Sequence, residues 1–153
     1  MSVPTPEEVY ERAVAAACDT ETQKLEFQMY WCMVLSNLWQ ERDPKLSGSL
    51  WVTAAQLLGV IQEGALLDRD FDTIRRIGRS VTEGPPKRFA APVVVVAFCA
   101  YYYHQQHDKW PSDARLQADS GKQWKNEKGS SMSATAYKSA RRDLGLTGNL
   151  PAG

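Results

Sequence analysis

Pro92-Val93-Val94-Val95-Val96-Ala97-Phe98-Cys99-Ala100-Tyr101-Tyr102-Tyr103 decides the fold class of this chain. Its consecutive β-branched residues favour a strand, where branched side chains pack well on a pleated surface. A strand needs a partner, because an unpaired strand leaves its backbone donors and acceptors unsatisfied. No second strand-like run exists elsewhere in the sequence. Read on to Gln106, the stretch also reaches helical length. A buried helix is therefore expected here, with Pro92 in the first turn, where its missing N–H costs nothing.

Working toward the N-terminus, Glu83-Gly84-Pro85-Pro86-Lys87 reads as a loop and a candidate boundary. Before it, Phe71, Ile74, Ile77 and Val81 mark a helix with Arg75, Arg76 and Arg79 on its wet side. Residues 49–67 form another helix, whose inner face is Leu50, Ala54, Leu57, Leu58 and Ile61. Asp43-Pro44 and Ser47-Gly48 read as the break before it. Residues 21–40 carry two apolar seams, one through Leu25, Gln28, Cys32, Leu35 and Trp39, the other through Phe27, Trp31, Val34 and Leu38. A helix apolar on two sides is central in a core or covered by a partner. Thr5-Pro6-Glu7-Glu8 combines a capping hydroxyl, a first-turn proline and the glutamate of a capping box, so a first helix starts there.

Toward the C-terminus, Pro111 to Ala118 opens a short helix that Ser120-Gly121 is expected to interrupt. Gly129-Ser130-Ser131 is a turn, Ser133 caps a last helix from Ala134 to Leu144, and Gly145 closes it. The expected fold class is all-α, a bundle of about six or seven helices with a small C-terminal helix-turn-helix-like unit. Its expected parts are an acidic bundle over 1–84, a buried helix completing the core over 85–108, and a basic unit over 109–153.

Charge motivates that division. The chain has 18 Lys+Arg and 18 Asp+Glu, which excludes a polybasic protein bound by bulk charge. Yet residues 1–45 hold 4 basic and 8 acidic side chains, while residues 109–153 hold 8 and 4. A composition 43% hydrophobic and 24% charged is that of a soluble globular domain of this length. Residues 1–8 lack the basic and apolar regions of a secretory signal, and Phe89 to Tyr103 is too short to span a bilayer. Cys18, Cys32 and Cys99 are odd in number and lie in apolar segments, as reduced thiols do. A cytoplasmic protein that does not engage a membrane is expected.

The tail supplies the candidate site. Within the last helix, Ser133, Tyr137, Ala140 and Leu144 share one stripe, while Thr135, Lys138, Ser139, Arg141 and Arg142 lie largely off it. Arg can bond a guanine edge, and Ser, Thr and Lys can hold phosphate. The local order is helix, turn, helix, and the segment resembles a generic helix-turn-helix motif over roughly 35 residues. Its turn, from Asn126 to Ser131, is longer than the compact form. Leu146-Thr147-Gly148-Asn149-Leu150-Pro151 would begin a wing. The competing reading is an amphipathic helix with a solvated basic face. Lys122 and Lys125 precede it, with Trp110, Trp124 and Tyr137 interleaved among the lysines, either to stack bases or to build a small core.

Other constellations carry less. Thr53-Ala54-Ala55-Gln56-Leu57-Leu58-Gly59 looks like the first helix of a helix-turn-helix, but the residues after it hold no basic side chain. His104 and His107 lie three apart on a helix, within reach of one metal, with no further ligand motif beside them; no metal and no cofactor are expected. No nucleophile elbow, phosphate loop or dinucleotide fingerprint is present, and no catalytic residue and no enzymatic activity are expected. The leading expectation is a small DNA-binding or regulatory protein. The alternative is a non-enzymatic interaction module, an adaptor, inhibitor or assembly subunit, that meets a protein partner or a second copy through Phe27, Tyr30, Trp31 and Trp39.

Overall fold

The computed structural model describes residues 3–83 and 87–147. The described residues are all-helical, with seven α-helices and no strand. These are α1 (Pro6–Ala17), α2 (Glu21–Trp39), α3 (Pro44–Leu67), α4 (Phe71–Glu83), α5 (Pro92–His107), α6 (Asp113–Lys128) and α7 (Ala134–Asp143). A short 3-10 turn, Lys87–Ala90, leads into α5. The loop residues Gly84, Pro85 and Pro86, the α4 side chain Val81 and the wing residues Gly148 to Pro151 lie outside the described residues.

Contact gathers the chain into two compact units, Met1–Ala17 with Ala90–Gly153, and Cys18–Phe89. That grouping differs from the one drawn by charge along the sequence. In the first unit α5 is the hub, with α1, α6 and α7 each packed on it. Val94, Val95, Val96, Ala97, Phe98 and Ala100 are all buried. A helix enclosed on several sides is apolar all round, which explains why its pattern has no helical period to read. Trp110 closes this core and donates its indole N–H to the Pro4 carbonyl at 2.9 Å.

One helix of this unit, α6, departs from expectation. Ser120-Gly121 does not interrupt it; the helix runs unbroken to Lys128. Ser120 is fully buried, and a short side chain there, beside a glycine, lets the helix continue at close quarters. At the far end, Gly145 (φ +74) terminates α7 in the left-handed region. The Arg12 guanidinium Nη1 donates to the Leu144 carbonyl at 2.8 Å, tying α1 to the end of α7. A Cβ on Gly145 would fall 2.1 Å from that nitrogen, whereas one on Gly129 (φ +72) meets nothing. Gly129→Ala should therefore cost only the backbone penalty, about 1 kcal/mol, and Gly145→Ala about 2 kcal/mol, since Arg12 must also release its carbonyl. Urea unfolding of the two variants measures the difference. Equal losses would mean that the guanidinium relocates without penalty.

In the second unit, α2 and α3 pack along their lengths and α4 sits on α3. The boundary between α2 and α3 is shorter than the sequence suggests. Asp43 and Pro44 start α3 rather than merely ending α2: the Asp43 carboxylate accepts from the Leu46 N–H at 3.1 Å, and Pro44 takes the first turn. Ser47 lies inside α3 and faces α2. Its hydroxyl donates to the Ser36 carbonyl at 2.8 Å, and the Ser36 hydroxyl donates to the Ser47 carbonyl at 2.8 Å. Two small, mutually satisfied hydroxyls bring the helices close where the hairpin begins. Thr20 and Gln23 form the reciprocal capping box of α2, as Thr5 and Glu8 do for α1.

Two expectations about α4 are corrected. Phe71 is 58% exposed, not an inner-face residue, because it sits at the helix start. Arg76 is not on the wet side; its guanidinium forms a two-pronged ion pair with Glu26 of α2, which is 5% exposed. A carboxylate that deep requires a cation, and α4 supplies it. Hydrogen bonding to Glu26 holds the Arg76 pKa above its ordinary value.

Candidate functional site

The α7 segment is built as an anchored helix. Ser133 accepts from the Ala136 N–H at 3.1 Å and starts it. Tyr137, Ala140 and Leu144, one stripe in the sequence, are all buried. The Tyr137 hydroxyl donates to the Asp113 carboxylate at 2.7 Å, in the first turn of α6. Burial, with the neighbouring carboxylate, pushes the Tyr137 phenol pKa well above its ordinary value, so it stays a donor across the physiological range.

The opposite face holds most of the expected contacts. At 100° per residue, Thr135, Lys138, Ser139 and Arg142 fall on one side of α7, away from the buried stripe. Thr135, Lys138 and Arg142 are exposed and Ser139 is half-buried. Arg142 Nη2 donates to the Ser139 hydroxyl at 3.4 Å and lies 3.9 Å from the Asp143 carboxylate by its Nε. Arg141 differs from these. Its side chain is 17% exposed and its Nε sits 3.4 Å from Asp113 Oδ1. It shares that carboxylate with Tyr137 and so belongs to the anchor. Sequence reasoning placed it off the buried stripe because an arginine one residue from an apolar position looks solvated; only the fold brings Asp113 to it.

Lys122 and Lys125 are exposed on α6, and Gly129 in the left-handed region ends that helix. Five residues, Gly129 to Ser133, separate α6 from α7. Lys128 Nζ lies 5.4 Å over the Trp124 ring, so this half-buried indole meets a lysine of its own helix. Trp110 is buried and therefore part of the core.

The linear charge asymmetry does not survive folding. The unit that holds the basic tail also holds Glu7, Glu8 and Glu11 of α1. Counted over the whole unit, 9 basic side chains meet 8 acidic ones. The exposed basic side chains of the tail, Lys122 and Lys125 on α6 and Lys138 and Arg142 on α7, therefore belong to a unit that is close to neutral as a whole.

The aromatic set of α2 lies in the other unit. Phe27 (0% exposed) and Trp31 (5%) are core residues, with ring centroids 5.8 Å apart. Phe27 also meets Phe89 edge-on at 5.3 Å, and Tyr30 stacks on Phe89 at 6.0 Å. Trp39 is half-buried near the helix end. Burial removes Phe27 and Trp31 from any surface. The exposed apolar residues of this unit lie instead on α3 and at the start of α4: Trp51, Val52, Val60, Leu66, Leu67 and Phe71. Sequence reasoning missed this face, although the signal was present: Lys45 and Glu63 are the only charges in the 24 residues of α3. Its length and composition alone would let α3 cross a membrane, and 17% of its most apolar window is buried.

The two histidines point to separate partners. His104 packs on Trp110 at 4.5 Å and His107 on Tyr103 at 4.3 Å between ring centroids. Among the described residues no group of three or more His, Cys, Asp or Glu side chains is placed to hold a metal. Cys18 and Cys32 are buried, Cys99 is half-buried, and none is in a disulfide. Comparison with protein-family models, curated proteins and solved structures finds no match to this chain.

Proposed function

We propose that this is a small cytoplasmic DNA-binding or regulatory protein that contacts duplex DNA through α7. The observation that carries the reading is the division of α7 into a buried anchor and an exposed row of Thr135, Lys138, Ser139 and Arg142. A recognition helix must be held rigidly by one face while the other presents donors to phosphate and base edges. The order α6, turn, α7 is that of a helix-turn-helix-like unit, with Lys122 and Lys125 placed for phosphate. Arg141, engaged with Asp113, serves the anchor in this reading, and Lys138 and Arg142 lead the contact. Neither catalysis nor a cofactor enters it.

Fluorescence anisotropy of a labelled duplex tests the proposal. Binding should weaken steeply as salt rises, because each neutralised phosphate releases counterions. Lys138→Ala should weaken binding on all sequences alike and lower the salt slope by about one. Arg142→Ala should cost about 1–3 kcal/mol and relax sequence preference if it reads a base. Absence of binding at low salt would end the DNA reading.

A second reading, an adaptor or assembly subunit that works by protein contact, draws support from the exposed apolar face of α3.

A further inference from the structure

We propose that the outer face of α3 is a two-fold, antiparallel interface with a second copy of this chain. The inference does not use α7 and goes beyond the DNA reading. It gives the interaction reading a definite occupant.

α3 is 24 residues long, about 36 Å at 1.5 Å per residue. Its inner face is taken by α2. On the outer face Val52 is 56% exposed, Val60 55%, Leu66 63% and Leu67 78%. Ala55, Gln56 and Gly59 lie between them, all exposed, and a Cβ on Gly59 would meet nothing within 4 Å. An uncovered apolar strip of this length on a folded domain marks a contact surface.

The two charges of the helix select the occupant. Lys45 and Glu63 are separated by 18 residues, about five turns, so both lie on one line of the outer face. Both are exposed, and neither forms an ion pair among the described residues. Consider a second α3 laid antiparallel about an axis level with Ala54. Lys45 of each copy then meets Glu63 of the other, twice over, Val52 of each lies opposite Gln56 of the other, and Gly59 lets the helices approach beside them. A parallel copy would set lysine against lysine. A two-fold interface requires such self-complementarity, residue i meeting residue j and j meeting i. The charges fix register and direction, while the apolar strip supplies most of the attraction.

A lipid surface fits the same strip less well. Gln56, Gln62 and Glu63 stand on its exposed side, and a carboxylate within a bilayer-facing strip is costly. Membrane-surface helices carry basic residues along the polar face, and α3 has Lys45 alone.

The test is sedimentation equilibrium of the full chain from about 1 μM to about 1 mM, the range of weak to moderate association. A reversible monomer–dimer equilibrium is expected. Lys45→Glu and Glu63→Lys should each raise the dissociation constant about tenfold, since one substitution turns two attractive pairs into two repulsive ones. The double variant should restore wild-type association. Val52→Glu, at an exposed position, should reduce association by more than tenfold with helicity by circular dichroism unchanged. A chain that stays monomeric throughout overturns the proposal, and so does a dimer indifferent to Val52→Glu. Single charge reversals without effect, or a double variant that fails to recover, overturn the antiparallel register. A monomer that instead sediments with neutral or anionic lipid vesicles would assign the face to lipid. None of these outcomes bears on duplex binding, which is read separately by anisotropy.

Discussion

Replacing Phe98 by Ala is expected to destabilise the protein by about 3–5 kcal/mol, the largest effect of any single change considered. Phe98 is 2% exposed in α5, the helix on which α1, α6 and α7 all pack. Truncation removes the transfer energy of a phenyl ring and leaves a cavity that close-packed neighbours cannot fill. Cys99, half-buried beside it, provides the contrast: Cys99→Ala should cost about 1 kcal/mol or less, as a small side chain with less to lose. Chemical denaturation of both variants reads the difference. A loss below about 1 kcal/mol for Phe98→Ala would mean that α5 is not the organising helix of its unit.

Arg76→Ala should cost about 3 kcal/mol, because it strands the Glu26 carboxylate inside the Cys18–Phe89 unit. The pair is asymmetric: the Glu26 side chain is 7% exposed and that of Arg76 is 35%. Losing the buried member leaves an arginine that can reach water, so Glu26→Gln should cost about 1–2 kcal/mol. The double substitution Glu26→Leu with Arg76→Leu should recover much of the loss, since two apolar side chains carry no desolvation penalty. Urea denaturation gives the four stabilities of that cycle. If Arg76→Ala proved no worse than Glu26→Gln, the carboxylate would have access to water or to another donor.

Both effects concern residues whose roles the sequence reveals unequally. Phe98 lies in an unbroken apolar run, and its burial follows from composition. Arg76 is one of three arginines in a five-residue stretch, and helical spacing alone sets it beside Arg79 on the solvent side. Its partner lies 50 residues away, and no local pattern points there. The candidate DNA-contacting residues divide in the same way. Lys138 and Arg142 are exposed as periodicity predicts, whereas Arg141 is drawn inward by Asp113 across 28 residues. Of the expected partner-binding aromatics, Phe27 and Trp31 are buried while Tyr30 and Trp39 are half-buried: α2 is apolar on two sides, and periodicity could not say which side the rest of the chain would cover.

Local chemistry determined much by itself. Helix starts at Thr5, Thr20 and Ser133 and ends at Gly129 and Gly145 follow from capping side chains, proline in first turns and glycine in left-handed positions. These are interactions within four or five residues, so the sequence carries them, whereas the unbroken run of α6 through Ser120-Gly121 and the start of α3 at Pro44 were not legible in it. The all-α class follows too, since a single β-branched run has no strand to pair with. What only the tertiary structure decided is which helices meet. It placed α1 with α5, α6 and α7, and so cancelled the charge difference between the chain's two ends. It covered the inner face of α3 with α2 and left the outer one bare. Burial of apolar surface is non-directional and indifferent to sequence separation, so an apolar helix face announces that it will be covered and never by what.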